Sequence, residues 1–171
     1  MSVRRMLCCL AAASVLAACD EGPASNLSFT ATEDVWSYVT NAAAAGPLQI
    51  EVHGNPFPEP DPFVHREFAQ AVGNAFTEPW LRFSAATGSS DFRLVWLLDP
   101  GEGFDHDRAC AGELPAVGTR GRTLEIRAVL CHRERPLTAV HGWMRHPESA
   151  ADPGLRNLIS QMGRQLLTGR G

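Results

Sequence analysis

Phe92-Arg93-Leu94-Val95-Trp96-Leu97-Leu98 reads as a strand that is apolar on both faces, with Arg93 the single exception. Alternate side chains of a strand point to opposite faces, so Phe92, Leu94, Trp96 and Leu98 share one face and Arg93, Val95 and Leu97 the other. Such a strand belongs in the middle of a sheet. Two further extended runs lie downstream. Leu124, Ile126, Ala128 and Leu130 alternate with Glu125, Arg127 and Val129, and a second run covers Leu137 to Met144. The turn-like His132-Arg133-Glu134-Arg135-Pro136 between them predicts an antiparallel hairpin.

Upstream, Leu48, Ile50 and Val52 alternate with Gln49, Glu51 and His53, which predicts a half-buried strand. It stops at Gly54 to Pro62, where four prolines forbid a hydrogen-bonded ladder. The helices punctuate these strands. Thr30-Ala31-Thr32-Glu33 resembles a capping box, and Val35, Trp36, Val39, Ala42 and Ala43 follow at helical spacing up to Gly46-Pro47, predicting a helix over about 31–45. Asp61-Pro62 and Asp152-Pro153 each look like an N-cap with proline in the first helical position. The first is followed by a stripe at Val64, Phe68, Val72 and Phe76, the second by Leu155, Leu158, Ile159, Met162 and Leu166. Trp80 to Thr87 fits neither period. Asp99 to Gly121 reads as a long polar loop, and Asp20 to Ser28 as a small, polar tether. The predicted fold is α+β: a two-layer α/β sandwich of about four strands in a mixed sheet, with helices on one face. The globular domain is placed at residues 29–171 and the tether at 19–28. No internal repeat is present at any length.

Composition excludes several chemistries. All fifteen cationic residues are arginine, so a Schiff-base lysine, a Walker lysine and a lysine general base are absent. The formal charge of −4, falling to −6 if the leader carrying Arg4 and Arg5 is removed, disfavours nucleic acid as a partner. Neither GxSxG nor HExxH occurs, and Gly101-Glu102-Gly103 and Gly118-Thr119-Arg120-Gly121 lack the remaining glycines and the lysine of a phosphate loop. Asp105-His106-Asp107 offers three metal-binding side chains in a row, but adjacent residues rarely converge on one ion. His53, His65, His132, His141 and His146 have no ligand spacing. No cofactor or metal is expected.

Cys8 and Cys9 precede the domain and Cys19 stands at its margin, which leaves Cys110 and Cys131 within it. In an oxidising compartment two such thiols pair, and a Cys110–Cys131 disulfide is the expectation; the rival is a nucleophilic thiol with His106 or His132 near it in sequence.

The amino terminus suggests that compartment. Arg4 and Arg5 precede an apolar run from Met6 to Ala18 that would make a helix of about 20 Å, too short for a hydrocarbon core of about 30 Å. A positive start, a short apolar segment and small residues at its end are what a secretory signal requires. Leu16-Ala17-Ala18-Cys19 resembles the lipobox of bacterial lipoproteins. The resemblance implies that residues 1–18 are a signal peptide, that cleavage falls between Ala18 and Cys19, and that Cys19 carries a diacylglyceryl group, its freed amine acylated by a fatty acid such as palmitate. Two or three chains anchor stably where one would be marginal. Asp20 resembles the signal that keeps many enterobacterial lipoproteins in the inner membrane, which favours an anchor there, facing the periplasm, with the outer membrane as the alternative. The alternative is an ordinary signal peptide cut after Ala18 or nearby.

If Leu48, Ile50 and Val52 face the helices, Glu51 and His53 face away, and Arg93, Glu125 and Arg127 join them. Opposite charges on neighbouring strands would give a polar sheet face able to receive a partner; equally, an antiparallel or mixed sheet often leaves one face to water. Two functions are compatible with these features. One is a lipid-anchored, non-enzymatic accessory domain that binds an envelope protein or another envelope component. The other is an envelope hydrolase or metal-dependent enzyme built on His53, His141 and nearby carboxylates.

Overall fold

The structure is a computed structural model that describes residues 22–85, 90–118 and 121–171. The leader, Cys19 and Asp20 lie outside the described residues. The elements follow in the order β1 (Ala24–Thr30), α1 (Val35–Ala45), β2 (Leu48–His53), α2 (Asp61–Gly73), β3 (Phe83–Ala85), β4 (Phe92–Leu98), α3 (His106–Cys110), β5 (Thr123–His132), β6 (Arg135–Arg145) and α4 (Pro153–Thr168). The architecture is α+β, with a mixed sheet in the order β1-β6-β5-β4-β2-β3. β2 runs parallel to β3 and β4; β4, β5, β6 and β1 pair antiparallel in turn. The α2 crossover is what allows β2 and β3 to lie parallel.

The four expected strands are present as β2, β4, β5 and β6, and two edge strands raise the total among the described residues to six. One corrects the tether: instead of continuing to residue 28, the polar lead-in gives way to β1 at Ala24, which pairs with Trp143 of β6. Ser25 donates to Gln165 of α4 at 2.8 Å, and Leu27 packs on the core. Small polar residues looked like a spacer, but an edge strand needs few apolar side chains because half of it faces water. The other addition, β3, occupies the region where the pattern matched no period.

Of the three helix starts, one is capped as the sequence predicts. Asp152 caps α4 by accepting from the Leu155 amide at 3.0 Å. Thr30 does not cap α1: it is the last residue of β1, opposite Thr138, and Asp34 caps α1 through the Ser37 amide. Asp61 is the first residue of α2 rather than its cap; Pro60 takes that place, and the Asp61 carboxylate accepts from Asn55. The hairpin is tighter than expected, turning on Arg133 and Glu134 alone. Arg133 has φ +57°, a conformation that costs a non-glycine residue about 1–2 kcal/mol. It is held by its amide bonding to the Asp91 carbonyl and its guanidinium to the Asp91 carboxylate at 3.2 Å.

The larger core lies between the sheet and α1, α2 and α4. It holds Ile50, Val52, Leu94, Trp96, Leu98, Leu124, Ile126 and Leu130 from the strands, Val35 and Val39 from α1, Val64, Phe68 and Val72 from α2, and Leu155, Leu158, Ile159, Met162 and Leu166 from α4. The helix stripes seen in the sequence supply the helical side of it. A smaller apolar cluster fills the opposite face: Val95, Leu97, Val129, Cys131 and Ala139 meet Ala109 and Cys110 of α3, with Phe29, Phe104 and Leu114 at its edge. The expected loop at 99–121 therefore contains a short helix, and helices are not confined to one face. Cys110 and Cys131 form the expected disulfide, with a Cα–Cα distance of 5.5 Å, and it fastens α3 to β5.

Candidate functional site

On the face opposite α1, α2 and α4, the part not covered by α3 is polar. Strand alternation puts Glu51, His53, Arg93, Glu125 and Arg127 there, as the sequence indicated, and the register gathers them into two clusters.

The first cluster joins β2 and β4. The Glu51 carboxylate lies 3.4 Å from Arg93 Nη1 and 3.6 Å from His53 Nε2. Arg93 Nη2 also donates to the Cys110 carbonyl. One guanidinium thus links a buried carboxylate to the end of α3, next to the disulfide. Burial by itself would raise the Glu51 carboxyl, but the hydrogen bond from His53 and the charge of Arg93 outweigh it, and its pKa is lowered. The carboxylate is therefore ionised at neutral pH and engaged with partners, which suits a structural pair better than a proton donor.

The second cluster joins β5 and β6. Arg127 Nε and Nη2 reach Glu125 Oε1 at 2.7 and 2.6 Å, and the guanidinium lies over the Phe104 ring, 5.5 Å from its centroid. His141, directly across from Arg127, tilts against Trp143 with ring centroids 4.9 Å apart. Its Nε2 is 3.3 Å from Glu125 Oε1 but makes no hydrogen bond with it. Burial and the neighbouring Arg127 charge lower the His141 pKa against the pull of Glu125, so this contact is one of a neutral imidazole, not an ion pair.

His53 and His141 do not meet. They stand in one row across the sheet, His53–Leu97–Arg127–His141, three strand spacings or about 14 Å apart. Leu97 and Arg127 fill the gap, so no single reacting atom can touch both histidines. Among the described residues, no group of three or more His, Cys, Asp or Glu could hold a metal ion. Asp105, His106 and Asp107 open α3, where Asp105 caps the helix through the Arg108 amide.

The sequence did not reveal Phe104, His141 and Trp143 as members of the polar face. His141 and Trp143 stand opposite Arg127 and Glu125 because an irregularity at Leu130/Cys131 shifts the pairing of β5 with β6 by one residue from the register that the turn alone would set, and no sequence signal marks that shift. Phe104 arrives from a loop with no periodic signal. A buried pair that no motif marks lies near the end of β4, where His146 Nε2 is 3.7 Å from Asp99 Oδ2.

No helix among the described residues is long and apolar enough to cross a membrane. No family model matches the chain. No curated protein matches it either. Among solved structures, a variant PelC dodecamer from Paraburkholderia phytofirmans is similar at 7% identity, covering 85% of this chain and 95% of that chain with a TM-score of 0.42.

Proposed function

We propose that this chain is a lipid-anchored envelope lipoprotein whose domain is a non-enzymatic binding module, and that the sheet face bearing the two charged clusters receives its partner. The anchor rests on Leu16-Ala17-Ala18-Cys19 behind a short apolar leader. The observation that carries the binding role is the composition of the face: Arg127 stacked on Phe104, beside Glu125, His141 and a half-exposed Trp143. Trp and Arg are the residues that dominate binding energy in interfaces, and an apolar centre with a charged margin is the usual anatomy of one. The clusters hold their charges in paired, hydrogen-bonded states, which fixes side-chain positions before a partner arrives and reduces the ordering cost of association.

A photo-crosslinking residue in place of His53 or Trp143 is expected to capture one and the same envelope component in intact cells. The same residue in place of the exposed Gln70, on α2, is expected to capture none of it. Arg127→Glu should cut the yield by about fivefold or more, the size expected of an interface anchor. Equal capture from Gln70, or a yield indifferent to the charge reversal, would remove this face from the reading.

A further inference from the structure

The two helices at the centre and flank of the helical layer have an unusual charge content. α1, of 11 residues, has no charged side chain, and α4, of 16 residues, has two, Arg156 and Arg164. α4 touches both α1 and α2, so its outer surface is the middle of that layer. Between α2 and α4 runs an open groove of about 500 Å³ lined by Arg156, Arg164, Asn74, Asn157 and Gln161, together with Pro153 and Ser160, and no carboxylate among the described residues lines it. Glu67 engages Arg156 through Nε and Nη2, at 2.8 and 2.6 Å, whereas the Arg164 guanidinium has no partner among the described residues.

The amino-terminal segment leaves the domain beside this groove. A Cβ on Gly154, in the first turn of α4, would lie 4.0 Å from Pro23. Cys19 is four residues before Pro23, a reach of at most about 14 Å. A lipid on Cys19 therefore holds the start of α4 within one short tether of the headgroups.

From these two facts, and resting on the lipid-anchor reading above, we infer that the groove between α2 and α4 is a docking site for the phosphate headgroups of anionic phospholipids in the bilayer that holds the anchor. Arg156 and Arg164 supply the charge and the amides of Asn74, Asn157 and Gln161 supply neutral donors, the combination a phosphodiester oxygen accepts from. The mature chain carries a formal charge of about −6, so an anionic surface repels most of it and favours the orientation that turns toward the lipid the groove holding Arg164 and Arg156, the latter with its charge partly offset by Glu67. In that orientation the helical layer lies down, and the face bearing Glu51, Arg93, Glu125 and Arg127 points into the envelope space.

The test uses the full lipidated protein in phosphatidylcholine vesicles with and without phosphatidylglycerol. With Cys110 and Cys131 paired and Cys19 acylated, an introduced thiol is the one available for a fluorescent label. A label at Gln161→Cys is expected to be quenched by headgroup-attached nitroxide several-fold more than a label at His53→Cys, and only when phosphatidylglycerol is present. Arg156→Gln with Arg164→Gln should lower the lying population about tenfold. Arg164→Glu alone leaves the Arg156–Glu67 pair intact and should act in the same direction, which guards against loss of fold in the double variant. Equal quenching at both labels, or quenching indifferent to phosphatidylglycerol and to both variants, overturns the proposal. Binding of inorganic phosphate to the groove without vesicles, together with quenching that does not respond to phosphatidylglycerol, also overturns it, in favour of a small-anion pocket. Cys19 without a fatty acid is a separate result: it removes the anchor reading beneath the proposal.

Discussion

Trp96→Ala is expected to destabilise the domain by about 3–5 kcal/mol, the usual cost of emptying a large aromatic site in a core. Trp96 is fully buried near the centre of β4 and meets Phe68 of α2 edge-on, with ring centroids 5.6 Å apart. It therefore couples the sheet to the helical layer at the middle of the larger core. Domains of this size have total stabilities of about 5–15 kcal/mol, so the loss is a large share of the whole. The Trp96 Nε1–H is also buried, and it has no hydrogen-bond acceptor among the described residues. An unpaired buried donor costs about 1–3 kcal/mol, and Trp96→Phe removes it along with part of the ring. The phenylalanine variant should accordingly lose much less than the alanine one. Denaturant melts of the three proteins check both statements; a loss under about 1 kcal/mol for Trp96→Ala would show that β4 is not central to the packing.

Replacing both cysteines, Cys110→Ala with Cys131→Ala, should cost about 3 kcal/mol, since the bridge closes a loop of about 22 residues in the unfolded chain. The loss should also have a place. α3 is short, and it is held against the sheet by the disulfide, by Arg93 donating to the Cys110 carbonyl, and by the small apolar cluster around Val95, Leu97, Val129 and Ala139. Without the bridge, amide protection should fall first in His106–Cys110, while Leu158 to Leu166 of α4 keep theirs. Uniform loss across both regions would mean that α3 is integral to the main core. In the unaltered protein, unfolded without reductant, both thiols should resist labelling.

The parts of this fold that were legible in the sequence are those where one physical signal dominates. β4 was legible because a short run that is apolar on both faces can bury itself only inside a sheet covered on both sides, and α2 and α4 because their stripes at Val64, Phe68 and Val72 and at Leu155, Leu158, Ile159 and Met162 keep helical period. The parts that were not legible depend on tertiary partners. β1 is polar and small because its outer edge faces water, and its identity comes from β6. Thr30 looks like a helix cap but is taken by the ladder, and Asp61 looks like a cap but its carboxylate is taken by Asn55. The charged face was half legible: period two placed Glu51, His53, Arg93, Glu125 and Arg127 on one side, but only the strand order shows which of them touch. That order also separates His53 from His141, which adjacency along the chain could not do.

On the proposed reading, a lipid on Cys19 would determine which compartment the domain occupies and which of its faces a partner can reach. The intact mass of the protein extracted from its own membranes tests this most directly. The expected mass is that of a chain beginning at Cys19, with a diacylglyceryl group on its thiol and a further acyl chain on its amine where the cell adds one. A mass that retains residues 1–18, or one that begins near Cys19 with no fatty acid, would show that lipid does not hold this domain at a membrane.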